Sequence, residues 1–406
     1  MQTTISAETR TSEDFAKQLS TSPDWPALWR QFMPVAERFA YFDHAAVGPL
    51  SAPACSAIQK YASQAMHLGD TVWPTWNRNL DRVRHLAAEL AGCEEREIAI
   101  VANTTSGIGV VAEGFPWKEG DNVVIPSGEF PSNLFPWKRL EVDEPNRPAV
   151  EVRVVPRQGD RVNVGDLLDA CDQRTRLIAT SWVGYASGFR IDVDSLVAQA
   201  HQRGILVFID AIQGLGVMPL DLGKTPVDFL AADGHKWLLG PEGAGILFVR
   251  QKHIDLLRPP ALGWASVKAS HNYSDPVMEL KDDAGRFESG SANMPGIAAL
   301  AASLEMFAAV GRNYGADSVS RRILDLCEQL DDRLKSLGAK TRRDASQMHQ
   351  SGIVSFEIPG KDPAKVREEG LRQDVVLSVR DGSIRAAVHA YQNDEDFERL
   401  IEICKA

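Results

Sequence analysis

Cysteines are few in this chain and follow no pattern. Its 406 residues hold five, Cys55, Cys93, Cys171, Cys327 and Cys404. No Cys-x-x-Cys pair occurs, so neither a disulfide framework nor a zinc ribbon is indicated. The nine histidines show no His-Glu-x-x-His or comparable spacing, which disfavours a metal site. Positive charge is in deficit: 44 Lys and Arg face 55 Asp and Glu, for a formal net charge of −11. That balance argues against nucleic acid or an anionic membrane as a partner. Small phosphorylated ligands stay open, because acidic proteins bind them in local sites. Long apolar runs are missing too. The longest, 298–310, is too short to span a bilayer and contains Glu305. The first 17 residues are polar and rich in Ser and Thr, without the apolar stretch of a signal peptide. A cytoplasmic protein is expected.

An apolar content of 44% with 24% charged residues is ordinary for a globular protein. At about 150 residues per domain the length predicts two to three domains, and a core of that size forms without disulfides. Short apolar runs at 98–101, 123–125, 150–155, 177–180, 205–209, 229–231 and 245–249 alternate with helical patterns. Runs of this kind suit strands buried on both faces, in a mostly parallel sheet covered by helices. Asp194 is placed to cap a helix over 195–202, with Gly204 closing it. This βαβ repetition predicts an α/β fold. Residues 1–24 read as a flexible arm and 25–295 as a large α/β domain. Within it, 256–285 is a long loop rich in turn signals. Residues 296–406 read as a smaller α+β domain. It has a helix carrying Val319, Ile323, Leu326, Leu330, Leu334 and Leu337 at 3.6-residue spacing, strands at 353–358, 375–379 and 384–388, and a last helix from Asp394.

Three segments carry chemistry. The strand Ile205-Leu206-Val207-Phe208-Ile209 delivers Asp210 to its carboxyl end, where open α/β sheets place ligands; an aspartate there also suits simple turn capping. Lys236 lies among Trp237, Leu238 and Leu239, where desolvation would lower its pKa and favour a nucleophilic amine; the alternative is a lysine whose head reaches water. Asn103-Thr104-Thr105-Ser106, between a strand and a helix, offers hydroxyls and free N–H groups to an anion, or only an N-cap. Gly107-x-Gly109-x-x-Ala112 matches a dinucleotide fingerprint weakly, because four polar residues precede the first glycine.

Together these segments give a phosphate cradle, a carboxylate for a ring nitrogen and a desolvated lysine, a set that suits pyridoxal 5′-phosphate. The chain resembles fold-type I pyridoxal-phosphate enzymes of the class V aminotransferase family, from Tyr41 onward. That family includes cysteine desulfurases, selenocysteine lyases, isopenicillin N epimerases and kynureninases. The resemblance implies a large domain with a mostly parallel sheet and a smaller C-terminal domain. It implies that Lys236 forms the Schiff base, that Asp210 pairs with the pyridinium nitrogen, and that Gln213 reaches the ring hydroxyl. Thr104, Thr105, Ser106 and His235 would hold the phosphate, and Phe130, in Glu129-Phe130-Pro131-Ser132-Asn133, would stack on the ring. Tyr41-Phe42-Asp43-His44-Ala45-Ala46 resembles the family's opening segment, which puts His44 at the substrate. Arg385 would clamp the substrate carboxylate, with Arg380 as helper. Ser291 would reach the neighbouring subunit's phosphate, implying a homodimer with its site at the interface.

The chain departs from the desulfurase pattern. Only Asp381-Gly382-Ser383-Ile384 separates Arg380 from Arg385, a short loop with no cysteine for a persulfide. Phe130 stands where many desulfurases have a proton-moving histidine, Trp182 where they carry asparagine, and Asp233 where a hydroxyl often helps bind phosphate. These departures lead to an expectation of a C–S lyase or epimerase-like enzyme without the persulfide cysteine, acting on a small amino acid or a modified cysteine derivative, with a class V aminotransferase as the alternative. An NAD-dependent oxidoreductase or a non-catalytic binding module is more remote.

Overall fold

A computed structural model describes residues 10–145 and 147–405. Thirteen strands are described: β1 (Ala40–Tyr41), β2 (Ile98–Val101), β3 (Asn122–Pro126), β4 (Glu151–Val155), β5 (Thr175–Ser181), β6 (Leu206–Asp210), β7 (Phe229–Asp233), β8 (Gly245–Val249), β9 (Lys340–Thr341), β10 (Ile353–Glu357), β11 (Val375–Val376), β12 (Ser378–Arg380) and β13 (Ser383–Ala387). Seven form the large sheet in the order β2-β8-β7-β6-β5-β3-β4. The five from β7 to β4 run parallel, while β8 is antiparallel to both β7 and β2. The central strands β3, β6, β7 and β8 are apolar and almost wholly buried, because helices cover both faces. Two apolar clusters, one on each side, make the core.

Parallel strands share a direction, so the carboxyl ends of β3, β5, β6 and β7 open on one edge. Glu129, Ser181, Asp210 and Asp233 all stand there. The C-terminal unit is a four-stranded antiparallel sheet, β12-β13-β10-β9, backed by helices Ser318–Ser336, Pro363–Arg372 and Asp394–Lys405. Helix Met294–Tyr314 leads into it. Its 21 residues are long and apolar enough to cross a membrane by composition alone, yet 83% of its most apolar window is buried inside the protein.

Three sequence expectations need correction. The arm read over 1–24 is a folded element from Thr11 onward. Thr11 and Asp14 form a reciprocal cap on helix Ser12–Leu19, and Phe15 packs edge-on to Trp29 and Phe32. Two apolar anchors in eight residues were too sparse to show as periodicity. Residues 1–9 lie outside the described residues. The cap of helix Val193–Gln202 is Asp192, whose carboxylate accepts from Ser195 N–H at 3.0 Å; Asp194 instead accepts the Thr225 hydroxyl. Residues 25–45, assigned above to the large domain, join the C-terminal unit: β1 pairs with β11, Arg30 bonds Asp396 at 2.6 Å and Phe42 stacks on Phe397.

His44 belongs to this junction. It is fully buried; its Nδ1 faces the Ala387 carbonyl at 3.0 Å and its Nε2 the Tyr391 hydroxyl at 2.8 Å. The carbonyl can only accept, so Nδ1 carries the proton and Nε2 accepts from the phenol. His44 is therefore a core histidine rather than a substrate ligand. Beside it His389, also buried, lies with Nε2 3.1 Å from the Trp237 carbonyl. Burial pushes His44 well below the usual imidazole range and His389 down to about 4. An unfolded chain protonates histidine near pH 6.5. The stability these neutral rings contribute is therefore complete above that pH and lost as pH falls toward the folded values. Melting temperature is expected to drop between about pH 6.5 and 4, and His389→Gln to flatten that drop. An unchanged slope in the variant would contradict this.

Candidate active site

Lys236 sits in the turn that follows β7. It is 9% exposed, between Trp237, Leu238 and Leu239. The opening segment grips this turn from above. Gly48 N–H donates to the His235 carbonyl at 2.7 Å, and a Cβ on Gly48 would lie 2.1 Å from the Lys236 carbonyl oxygen, so no other residue fits. From below, the Gln213 amide accepts Trp237 Nε1–H at 2.8 Å and donates to the Ala45 carbonyl at 2.9 Å. Gln213, expected to reach a ring hydroxyl, has both ends of its amide engaged in bracing the lysine turn.

Asp210 is buried at the end of β6, its Oδ1 accepting from Ile212 N–H at 3.1 Å. Burial raises its pKa to about 6 against the pull of that N–H and of Lys236. Lys236 moves the other way, down to about 8. Burial is the main cause, with Arg385 and Arg380 adding to it and Asp210 and Asp233 opposing. Glu129 rises to about 7, again through burial and the neighbouring Asp210, although Ser181 donates both its N–H, at 2.7 Å, and its hydroxyl to that carboxylate.

Phe130 stands over the lysine. Nζ is 5.7 Å from the ring centroid, and the side chain is 44% exposed, large for an aromatic ring at the mouth of a site. The hydroxyls of the 104–106 turn divide their roles. Thr104 accepts Asp233 N–H at 3.0 Å, Ser106 donates to the Asn103 cap at 3.0 Å, and Thr105 stays exposed on the first turn of helix Thr104–Gly114. Gly107 lets that helix approach the sheet, since a Cβ there would lie 2.8 Å from Ala231 Cβ. Gly107 thus serves helix–sheet packing, whereas a Cβ on Gly109 would meet nothing within 4 Å. Asp233 turns its carboxylate toward His235, with Oδ2 2.9 Å from Nδ1, while its Oδ1 is buried without a hydrogen-bond partner among the described residues. Trp182 is buried against Gly214 as core.

The arginines differ from expectation. Arg385 is 1% exposed. Its Nε donates to Ser378 Oγ at 3.1 Å, Nη1 to the Tyr185 carbonyl at 2.7 Å, and Nη2 to Asp43 at 3.0 Å. The fork expected to clamp a substrate is already paired with an internal carboxylate, and a substrate carboxylate must exchange with Asp43 or use the remaining N–H groups. Arg380 is half-buried, and one of its N–H groups bonds the Val379 carbonyl at 2.8 Å. Between them, β12 and β13 are joined by Asp381 and Gly382 alone, at φ 47° and 75°, a two-residue hairpin. Ser291 is exposed, and lines with Ser106, Trp73, Arg84, Trp264 and Glu288 a cavity of about 540 Å³. Lys236 does not border that cavity, so this space beside the 104–106 turn is not the lysine site itself. Asp43 and Tyr185 escaped the sequence reading as site residues. Nothing in linear spacing links them to Arg385; only the fold does.

The aminotransferase class-V profile matches residues 40–400. The chain belongs to that family. It is 29% identical to a probable cysteine desulfurase of Methanothermobacter thermautotrophicus, across 92% of this chain and 96% of that one. It is 28% identical to a cysteine desulfurase of Shigella flexneri, across 93% and 95%, and 25% identical to an uncharacterized aminotransferase, YcbU, of Bacillus subtilis, across 93% and 96%. Among solved structures, the cystine C–S lyase C-DES in complex with its product cysteine persulfide superposes with TM-score 0.83 at 22% identity, covering 92% of this chain and 99% of that one. A C-DES variant with glycine covalently linked to its pyridoxal-phosphate cofactor gives 0.84 at 23%, covering 94% and 99%. The enzyme has the fold-type I architecture, and pyridoxal 5′-phosphate is the cofactor of its family. The residues present fit that group: a buried lysine amine, a buried carboxylate beside it, an exposed aromatic face above, and an uncommitted hydroxyl at a helix N-terminus.

The lowered lysine pKa sets a pH profile. Below about 8 the amine is protonated, and above it the amine is nucleophilic. The rate at which apoprotein captures pyridoxal 5′-phosphate should rise about tenfold per pH unit up to that point and then level. A stopped-flow absorbance rate still climbing at that slope above about pH 9 would mark an ordinary solvated lysine.

Proposed function

We propose that this enzyme is a pyridoxal-phosphate-dependent carbon–sulfur lyase for a small cysteine-type amino acid, working without a persulfide cysteine, as a cytoplasmic homodimer. The observation that carries the reading is the two-residue hairpin between Arg380 and Arg385. It has neither a thiol nor the reach to present one. Three of the five free cysteines are poor candidates to supply it: burial pushes Cys93, Cys327 and Cys404 up to about 12, far from the thiolate a nucleophile needs.

Bound at Lys236, the cofactor supplies an electron sink for charge developing at the substrate Cα. The chain's own groups do the rest. Nζ of Lys236 takes the Cα proton. Asp210 holds a proton at the ring nitrogen, and its burial beside a cation keeps that bond strong. Thr105, His235 and the helix N-terminus take the phosphate. Arg380 and Arg385 orient the carboxylate, and Phe130 covers the ring and excludes water. The sulfur then leaves with the electron pair of its bond to Cβ, so no protein sulfur is required. An epimerase would need an acid opposite Lys236 to return the proton on the other face. Phe130, whose ring centroid lies 5.7 Å from Lys236 Nζ, has none to give, which favours the lyase. Ser291, exposed beside the cavity of about 540 Å³, would reach the phosphate of a second subunit.

The test is product analysis with L-cysteine and L-cystine. Expected are sulfide or persulfide, with pyruvate and ammonia, over many turnovers and with no persulfide left on the protein. Alanine formed with a protein-bound persulfide would contradict the lyase, as would an inverted amino acid. A keto acid with the amine form of the cofactor would mark the aminotransferase alternative.

A further inference from the structure

The site described so far fixes two of the three substituents on a substrate's Cα: the amine at Lys236 and the carboxylate at the arginines. The side chain must fall on the remaining wall. That wall carries Tyr185, which lies in a turn closed by Gly188 N–H to the Gly184 carbonyl and Gly184 N–H to the Phe189 carbonyl, both 2.9 Å. Its ring meets Phe130 edge to face, centroids 5.3 Å apart at 73°. Its main-chain carbonyl is the acceptor of Arg385 Nη1 at 2.7 Å. Tyr185 therefore spans the gap between the aromatic cover of the lysine and the carboxylate-binding guanidinium, and both neighbours fix its position.

The residue is half-buried, and its phenolic oxygen makes no hydrogen bond among the described residues. It borders a cavity of about 30 Å³ shared with Glu129 and Ser181, room for one water-sized group. A half-buried phenol without a partner is an available donor.

We propose that Tyr185 is the specificity-determining residue for the substrate side chain, donating its O–H to a polar or sulfur-bearing group on Cβ. An O–H held at that point also meets the negative charge that grows on sulfur as the carbon–sulfur bond breaks. The proposal rests on the amino-acid reading above and adds which atom of the substrate this chain reads.

The test is a binding titration rather than a turnover assay. Holoenzyme and its Tyr185→Phe variant are titrated with cysteine, serine, alanine and glycine, following the visible absorbance of the cofactor, with thermal melts to confirm equal folding. Loss of one hydrogen bond should weaken cysteine and serine about threefold to tenfold, while alanine and glycine, which carry no group on Cβ to receive the bond, keep their affinity. A uniform loss for all four, or no loss for any, overturns the assignment alone. A wild-type spectrum that responds to no amino acid overturns the functional reading and the assignment with it.

Discussion

Keeping the Lys236 amine out of water is the constraint on which the rest of the structure depends. An ammonium is costly to desolvate, so a lysine held at 9% exposure gives up its proton more readily than an exposed one. The fold does not offset this with a single tight ion pair. Asp210 and Asp233 favour the protonated amine, while Arg385 and Arg380 add to the effect of burial against it. Three separate stretches of chain meet at the turn that holds it. The opening segment presses Gly48 onto its backbone, Gln213 fastens Trp237, and His389 takes the Trp237 carbonyl. The opening segment and the C-terminal unit are thus parts of the lysine's mounting.

The same junction ties Arg385 to the opening segment. Asp43 accepts from both Arg385 and Ser378, so a guanidinium buried in the small sheet is neutralised by a residue more than 300 positions earlier. Buried charges need such partners. The pairing keeps the site charge-balanced when no substrate is present, and it makes carboxylate binding an exchange of one anion for another.

Strands were the most legible feature of the sequence. The runs at 98–101 and 245–249 coincide with β2 and β8, because a strand buried on both faces admits little but apolar residues. Gly204, at φ 72°, ends its helix where a left-handed residue is needed. Asp210 and Lys236 were legible for a related reason: an acidic residue at a strand end and a lysine in an apolar turn stand out locally. What depends on contacts between distant segments was not legible. His44 sits in a motif resembling a substrate loop, yet its bonds go to Ala387 and Tyr391, over 340 residues away. The helix at Ser12 rests on Trp29 and Phe32 rather than on its own periodicity. Arg385 was singled out from its segment, whereas its internal partner Asp43 was not, since charge pairing across the fold leaves no spacing to read.

The desolvated lysine is tested most directly by locating the residue that carries the cofactor. Holoprotein reduced with borohydride, digested and analysed by mass spectrometry should yield the phosphopyridoxyl group on the peptide containing Lys236 and on no other. The group on a different lysine, or an unmodified Lys236 in protein that retains the cofactor, would contradict the account of how this site is built.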